Sequence, residues 1–464
     1  MSQTDAFTWA MESDPRLRST VVTVIMLDRS PDWDVVRARF EALSRTLPIW
    51  RQIVVESPPP TPPRWETAPD YDIDFHLRRV SAPVPGNLEG VLEMARLAAM
   101  ADFDRARPLW TATLIEGLDD GGAAVLCKFH HALTDGVGGV QIAMHLFDLT
   151  EEPRAIEEVE TESDHPEVHP HGPLSDYIDA SLSPLSDYID AVRYDAGLVR
   201  KAVTGAVTKA PKLLFDTVRR PLKSAASAGE LAGSIYRFVR PVNATGSPLM
   251  KQRSLVRRLG VHEVELAKLK EAAHRSGGSL NDAFVAGISG GLRRYHEKHG
   301  TTVGDLHLTM PISIRTEDDG QGGNHITLAR FDVPVGVADP AERISETRER
   351  TQKVRNERST AYVQLLAGAM NLMPRWYIGS MLRKVDFLAS DVPGIPVPVY
   401  LAGAKVRVQY AFGPTIGAAV NVTLLTYVDT CALGIDVDTG AIPDFDDFYD
   451  CLVQGFDEVL ALAG

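Results

Sequence analysis

The sequence is poor in cysteine and has no long apolar run near its start, and each absence excludes a class of protein. Its three cysteines, Cys127, Cys431 and Cys451, are odd in number and far apart, which fits neither a disulfide framework nor a zinc site. The most apolar early run, residues 21–27, is much shorter than the roughly 20 residues that cross a bilayer. The N-terminus also lacks the basic start and apolar core of a secretory signal. These features predict a cytoplasmic protein without a metal site.

Positive charge is also in short supply over the chain as a whole. Lysine and arginine total 48, whereas aspartate and glutamate total 62, so the formal net charge is −14. Such an acidic protein argues against nucleic acid as a partner. The 464 residues are 44% hydrophobic and 24% charged, which fits a globular protein with a sizeable core. The length predicts two lobes rather than one.

Charge and proline content divide the chain into an N-terminal lobe (1–150), a connector (151–245) and a C-terminal lobe (246–464). The connector begins with an acidic stretch that contains three prolines. It continues with two copies of PLSDYIDA, at 173–180 and 184–191. Two copies are too few for a solenoid, so they indicate a local duplication within a helical connector.

The last part of the connector carries the opposite charge. Residues 192–240 contain ten lysines or arginines and three acidic residues, with apolar residues between them. A basic amphipathic segment is typical of a helix that lies on an anionic membrane, and it also suits a solvated helix between two lobes. The sequence leaves both interpretations open.

Strand-like and helix-like patterns alternate in both lobes. Residues 19–28 and 123–129 are short, apolar and rich in β-branched residues, as buried strands are. Residues 86–103 and the closing stretch 445–463 indicate helices. Further strand-like runs fall at 306–315, 326–336, 404–411, 418–428 and 431–437. The alternation predicts a mixed α/β fold.

A pair of histidines follows the strand predicted at 123–129, in the string CKFHHALTDGVGG. Neighbouring residues on a strand point to opposite faces, so only one of His130 and His131 can face a given cavity. Gly136 can take backbone angles that other residues avoid, and Asp135 stands where the N-cap of the next helix would be. The string predicts one imidazole at the mouth of a cleft, with the aspartate holding the loop behind it.

Other interpretations of these residues stay open. The histidine pair can be structural, and Asp135 can be a helix cap alone. His131 and Asp135 are four residues apart, as metal ligands on a helix are, but the preceding strand and Gly136 argue against a continuous helix. Three more histidines fall at 164–172, in the acidic part of the connector, where we expect them to be solvated.

A second string must be weighed as a nucleophile elbow. Gly287 to Gly291 matches G-x-S-x-G around Ser289, and an elbow needs a strand before the serine and a helix after it. Here a single helical stripe begins before Ser289 and continues beyond it: Leu280, Phe284, Ile288, Leu292 and Tyr295. The pattern favours glycines that allow close helix packing, and it disfavours a serine hydrolase.

The longer string, HHxxxDG between a strand and a helix, resembles the active-site motif of the coenzyme A-dependent acyltransferases. That superfamily includes chloramphenicol acetyltransferase, carnitine acyltransferases and peptide-synthetase condensation domains. Over nearly the whole chain, further strings resemble the bacterial wax ester synthase/diacylglycerol acyltransferase family: TDAFTWAMES, PLW at 108–110, NDAFVAGISGGLR from Asn281, MPISIR ending at Arg315, and SDVPGIPVPVYLAGAKV at 390–406. One departure is Asp391, where the family usually has asparagine before Val-Pro-Gly.

The resemblance implies two chloramphenicol-acetyltransferase-like lobes, each a mixed sheet flanked by helices, with a tunnel between them. It implies acyl transfer from acyl-CoA to diacylglycerol or a long-chain alcohol, without a cofactor. His131 would be the general base, and His130 would point away and support the strand or the backbone. Asp135 and Gly136 would shape the loop, and Arg315 is the candidate partner of Asp135.

Asn281 and Asp282 carry two interpretations. They match a family motif, so they are candidates for shaping the active site. The spacing Ser279-x-x-Asp282 is also that of a helix capping box, with aspartate in the place of glutamate. The sequence does not decide between the two.

The substrates implied by the resemblance are insoluble in water, so we expect peripheral contact with a membrane or a lipid inclusion. Two other functions stay open: a condensation-type enzyme that takes acyl groups from a carrier protein, and an inactive paralogue that binds lipid surfaces. The intact His131, Asp135 and Gly136 disfavour the inactive paralogue. The sequence sets neither the preferred acceptor nor the acyl chain length.

Overall fold

A computed structural model of the chain describes residues 1, 3–57, 63–134, 136–155, 244–313, 326–355 and 384–464. Two predicted site residues, Asp135 and Arg315, lie outside the described residues. The PLSDYIDA copies and the basic segment 192–240 lie outside them as well. The predictions made for these parts of the chain therefore stay predictions.

The first of two large sheets holds the strand that leads to the histidine pair. Numbered along the chain, its strands are β1 (Thr20–Leu27), β4 (Leu77–Ser81), β5 (Trp110–Glu116), β6 (Ala123–His130), β11 (Tyr400–Leu401) and β12 (Ala404–Phe412). Their order is β11-β12-β1-β6-β5-β4, and β4 runs parallel to β5 while the other pairs described are antiparallel. The apolar run of β1 suits a strand that is buried on both faces: Ile25 and Leu27 pack in one core cluster, and Val22, Val24 and Met26 pack in another.

The second large sheet is mixed as well. Its strands are β7 (Arg257–Glu265), β8 (Leu306–Ser313), β9 (Ile326–Val333), β10 (Phe387–Ile395), β13 (Val420–Tyr427) and β14 (Thr430–Asp438). Their order is β7-β14-β13-β10-β8-β9, with β10 parallel to both β8 and β13. A separate small pair is formed by β2 (Gln52–Val55) and β3 (Arg64–Thr67). Two mixed sheets with helices confirm the predicted fold class.

Helices pack against both sheets in the part of the chain that the structure describes. They are α1 (Gln3–Met11), α2 (Trp33–Thr46), α3 (Ile73–His76), α4 (Leu88–Met100), α5 (Gly136–Leu146), α6 (Leu266–Arg275), α7 (Leu280–Lys298), α8 (Pro340–Arg355) and α9 (Phe445–Leu460). Helix α4 packs against β1 and β6 of the first sheet and β7 of the second. Within the described ranges, no helix combines the length and the apolar character needed to span a membrane.

Helices α7 and α9 cross at a seam of glycines. A Cβ on Gly455 would lie 2.2 Å from the backbone nitrogen of Gly291 and 2.5 Å from the carbonyl oxygen of Gly287. The two backbones therefore approach more closely than a larger residue allows. Ser289 is fully buried in the middle of α7, with helix on both sides of it. The predicted helical stripe is confirmed, and this position is not a nucleophile elbow.

Two strands from late in the chain complete the first sheet. Strand β12 pairs antiparallel with β1, with Ala411 opposite Thr23. The following strand, β13, belongs to the second sheet, so the chain passes from one sheet to the other through residues 413–419. The predicted lobe boundaries follow chain order, whereas the first sheet includes β11 and β12 from the later part of the chain.

Candidate active site

A cavity of about 220 Å³ lies between the two large sheets. It is bordered by β1, β5, β6, β12 and α5 on one side and by β8, β10 and β13 on the other. Most of its wall is apolar, including Val21, Ile25, Trp110, Phe129, Val140, Ile142, Leu388, Val392, Ile416 and Leu425. Such a wall suits a hydrocarbon chain and limits the access of water to groups that react there.

His131 is the first residue after β6, and it lines this cavity. Its backbone N–H donates a hydrogen bond to the Ser19 carbonyl oxygen at 2.9 Å, which ties it to the start of β1. Thr134 is buried and lines the same wall. No cluster of three or more histidine, cysteine or acidic side chains that could bind a metal ion occurs among the described residues.

His130 is fully buried and has different surroundings. Its Nδ1 accepts a hydrogen bond from the backbone N–H of Ala132 at 3.0 Å, so the proton of the neutral imidazole is on Nε2. Nε2 donates to the Glu12 carboxylate at 3.1 Å, and the rings of Trp9 and Phe103 pack edge-on against the imidazole. Both ring nitrogens of His130 are therefore engaged in structural hydrogen bonds.

Glu12 connects the two histidines. The oxygen that accepts from His130 also accepts from the backbone N–H of Ser19 at 2.6 Å. The Ser19 carbonyl in turn accepts from His131. One buried carboxylate thus joins the end of α1 to the start of β1 and the end of β6. Glu12 was not predicted as a site residue, although it lies in the TDAFTWAMES string.

Polar groups on the opposite wall come from β10 and β13. Ser390 and Asp391 of β10 line the cavity, so the residue that departs from the family pattern borders the site. On β13, Asn421, Thr423 and Leu425 alternate along the strand and all border the cavity. Nothing in the run VNVTLLTY distinguishes these polar residues from those of an ordinary buried strand, so sequence reasoning missed them.

The amide of Asn421 has one possible orientation. Its Nδ2 donates to the Pro414 carbonyl oxygen at 2.8 Å, and a flipped amide would set two oxygens against each other. Thr423 Oγ1 accepts from the backbone N–H of Gly413 at 3.1 Å. Gly413 has no room for a side chain, because a Cβ would lie 2.7 Å from Asn421 Nδ2. These contacts hold the loop after β12 against β13.

Two other reactive groups on β6 are poor nucleophiles. Cys127 borders the cavity rather than bulk solvent, and burial raises the pKa of its thiol to about 12. Burial lowers the pKa of Lys128 to about 8, but its Nζ donates to the carbonyl oxygens of Ala101 and Asp102 at 2.8 and 3.1 Å. Lys128 therefore stabilises the C-terminal end of α4.

Asn281 and Asp282 lie at the start of α7, and neither is among the described residues that line the cavity. Asp282 is buried and accepts from the backbone N–H of Ser279 at 2.8 Å. Ser279 Oγ accepts in return from the backbone N–H of Asp282 at 3.3 Å. Of the two interpretations of Asp282, the structure shows the capping box.

Two family models match the chain. The wax ester synthase/diacylglycerol acyltransferase catalytic domain matches residues 1–284, and the WS/DGAT C-terminal domain matches residues 322–459. A Mycobacterium tuberculosis protein named as a diacylglycerol O-acyltransferase is 36% identical over 459 residues, which are 98% of this chain and 90% of that protein. The family resemblance predicted from the sequence strings is confirmed.

Solved structures share the fold at low identity. The wax ester synthase/diacylglycerol acyltransferase from Marinobacter aquaeolei VT8 has a TM-score of 0.63 and 20% identity, covering 99% of this chain and 98% of its own. The first condensation domain of the calcium-dependent antibiotic synthetase has a TM-score of 0.61 and 14% identity, covering 100% and 95%. At these identities the likeness concerns the fold alone.

Proposed function

Because the chain belongs to the wax ester synthase/diacylglycerol acyltransferase family, whose reaction is acyl transfer to diacylglycerol or an alcohol, we propose that His131 is the general base. An alcohol is a weak nucleophile at neutral pH and needs a base within hydrogen-bond reach. Imidazole titrates near neutral pH and suits that task. His131 takes the hydroxyl proton as the oxygen attacks the thioester carbonyl. It then protonates the departing thiolate, so no acyl-enzyme forms.

The observation that supports this assignment is the contrast between the two histidines. His130 uses both ring nitrogens in hydrogen bonds to Ala132 and Glu12, whereas His131 borders the apolar cavity. The apolar wall limits water near the thioester, which favours attack by the alcohol over hydrolysis.

We propose acyl-CoA as the donor and diacylglycerol or a long-chain alcohol as the acceptor. The apolar wall of the cavity supports a long acyl chain. The reaction in this form uses neither a metal nor an organic cofactor, because the base and the two substrates supply every proton and electron pair.

The loop after His131 is proposed to depend on Asp135 and Gly136, with Arg315 as the partner of Asp135. Asn281 and Asp282 both stay candidates for shaping the active site. The division into lobes at 1–150 and 246–464, joined by the connector, also stays a proposal, since strands from the second part of the chain enter the first sheet.

The place of action is proposed to be the cytoplasm, at the surface of a membrane or lipid inclusion. Both acceptors partition into lipid, so the enzyme must meet them at an interface. Large apolar side chains that are more than half exposed support such contact: Val84, Leu97, Leu149, Leu255 and Val256.

Replacement of His131 by alanine tests the proposed function. We expect His131→Ala to lower kcat by about 10²–10⁴-fold, the usual contribution of a general base, with little change in thermal unfolding. The assay uses radiolabelled acyl-CoA with diacylglycerol and hexadecanol in parallel. The matched control, His130→Ala, removes the neighbouring imidazole and should reduce stability more than chemistry. Retention by His131→Ala of more than about a tenth of wild-type turnover would contradict the assignment.

One alternative donor is favoured by the shared fold of condensation domains. A carrier-protein thioester in the same assay distinguishes it, because a condensation-type enzyme would use that donor in preference to acyl-CoA. An inactive lipid-binding paralogue would turn over neither donor.

A further inference from the structure

A polar pocket of about 80 Å³ adjoins the apolar cavity. Pro414 borders both spaces, and the loop that contains it contributes Thr415 to the pocket and Ile416 to the cavity. Charged side chains from both parts of the chain line the pocket, among them Arg18 and Arg257. The apolar cavity therefore has a polar neighbour, bordered by Arg257 of β7 and Asp436 of β14.

Several buried polar atoms at this junction have no hydrogen-bond partner within the part of the chain that the structure describes: Asn421 Oδ1, Asp436 Oδ1, Thr415 Oγ1 and Arg257 Nη1. Asn421 is 3% exposed, Asp436 5% and Thr415 1%. Asn421 and Asp436 lie opposite each other on β13 and β14, so their side chains share one face of the sheet. Buried groups are nearly always paired, and a group of exceptions in one place indicates a site that a ligand completes.

These atoms include both acceptors and donors. The oxygens of Asn421 and Asp436 accept, Arg257 donates, and Thr415 can do either. An amide presents the complementary pair, one N–H and one carbonyl. A fatty acyl chain presents no donor, and diacylglycerol or a fatty alcohol has a single hydroxyl, which is the attacking group. The arm that joins an acyl thioester to the nucleotide of coenzyme A does contain amides.

We propose that Asn421 Oδ1 accepts a hydrogen bond from an amide N–H of the donor's thioester arm, and that the polar pocket receives the rest of that amide. The inference rests on the proposed function, because it requires an acyl thioester as donor. One N–H of Nδ2 donates to the Pro414 carbonyl, and Oδ1 has no partner among the described residues, so we assign Oδ1 to the ligand. Asn421 is then a positioning residue: it sets how far the thioester carbonyl advances toward His131.

Ordered water is the rival occupant of the pocket, since a polar space of this size accommodates it. Water and the thioester arm differ in one measurable respect. Water pairs the same protein atoms whichever donor is bound, so it produces no preference for a donor that carries an amide N–H.

The test compares two short donors that differ by one group. One is the acyl thioester of N-acetylcysteamine, and the other is its ketone isostere, in which CH₂ replaces the amide N–H. Wild-type kcat/KM with a common alcohol is expected to favour the amide by about 3–10-fold, the range of a single hydrogen bond. Asn421→Leu and the smaller Asn421→Ala should reduce this ratio to about 1. With acyl-CoA, both should raise KM for the donor more than they lower kcat.

Thr423→Val is the matched control, because it removes the neighbouring contact with the same loop, at Gly413. It should keep the wild-type preference for the amide. If the wild type had the same kcat/KM for the amide and the ketone donor, the inference would be overturned and the pocket would be assigned to water only. The same conclusion would follow if the Asn421 variants kept the wild-type ratio of these two kcat/KM values. Failure of the wild type with every thioester, acyl-CoA included, would instead contradict the proposed function.

Discussion

At the scale of single residues, the positions of both histidines depend on a carboxylate outside the cavity. Glu12 accepts from His130 and from the Ser19 N–H, and the Ser19 carbonyl accepts from His131. Removal of the carboxylate would leave two buried donors unpaired, and each such donor costs about 1–3 kcal/mol. The geometry of the reactive histidine is thus coupled to the stability of the segment between α1 and β1.

Glu12→Ala is therefore expected to lower the free energy of unfolding by about 2–5 kcal/mol and to lower kcat as His131 shifts. Glu12→Gln keeps a carbonyl oxygen in the same place and should recover most of both. Urea denaturation and turnover with acyl-CoA are the measurements. An alanine variant as stable and active as the wild type would show that Glu12 does not support the pair, and a glutamine variant as impaired as alanine would show that the charge is needed.

The string HHxxxDG made His131 visible in the sequence, but the supporting residues had no comparable signal. Glu12 and His130 are 118 positions apart, and a contact over that separation leaves no local pattern. Asn421 was missed for a related reason, since its role depends on a cavity that the strand pattern does not reveal.

At the scale of elements, apolar patterns located several strands closely. Strands β1, β13 and β14 begin and end within two residues of the predicted runs 19–28, 418–428 and 431–437. Buried strands have continuous apolar runs bounded by polar residues, which is the signal that local reading detects best.

Strand β10 was not predicted, because it contains Pro393 and Gly394, which are typical of turns. The structure accommodates them at a break in register between Val392 and Ile395. A Cβ on Gly394 would lie 1.7 Å from the Thr426 carbonyl oxygen, so the glycine is required by the neighbouring strand. Tertiary pairing overrides the local signal here.

The seam between α7 and α9 gives a prediction at this scale. Gly455→Ala sets a Cβ against the backbone of α7, so we expect it to lower the free energy of unfolding by about 1–3 kcal/mol. The matched control is Gly90→Ala in α4, where the nearest atom to the new Cβ is 3.5 Å away and alanine favours the helix. Urea midpoints of the two variants are compared. Equal midpoints would show that the helices separate without cost.

At the scale of the whole molecule, the addition of β11 and β12 to the first sheet was beyond local prediction. Strand β12 pairs with β1 across most of the chain length, and no periodicity specifies a partner so distant. The family resemblance implied a tunnel between lobes, and β12, which the later part of the chain adds to the first sheet, borders the cavity. Which polar side chains border this cavity, however, depends on how the strands pair, and the sequence did not predict that pairing.

Approach to lipid is also a property of the whole molecule. The formal net charge of −14 opposes contact with an anionic surface, so a local excess of positive charge must overcome it. Residues 192–240 hold ten lysines or arginines, which lie outside the described residues. Near an anionic surface each contributes roughly 1 kcal/mol, and less once salt screens it. Apolar neighbours would add burial in the interface.

Replacement of Arg200, Lys201, Lys209 and Lys212 by glutamine is therefore expected to weaken binding to anionic liposomes, more at low salt than at high salt. Turnover of a short, soluble alcohol should change little, because the cavity is untouched. The matched control makes the same change of charge at exposed residues of α6 and α7, namely Lys268, Lys270, Arg275 and Lys298. If both sets weakened liposome binding equally, only the net charge would matter. If neither set did, the segment would be an ordinary inter-lobe connector, and contact through the exposed apolar residues near β7 would be the remaining explanation.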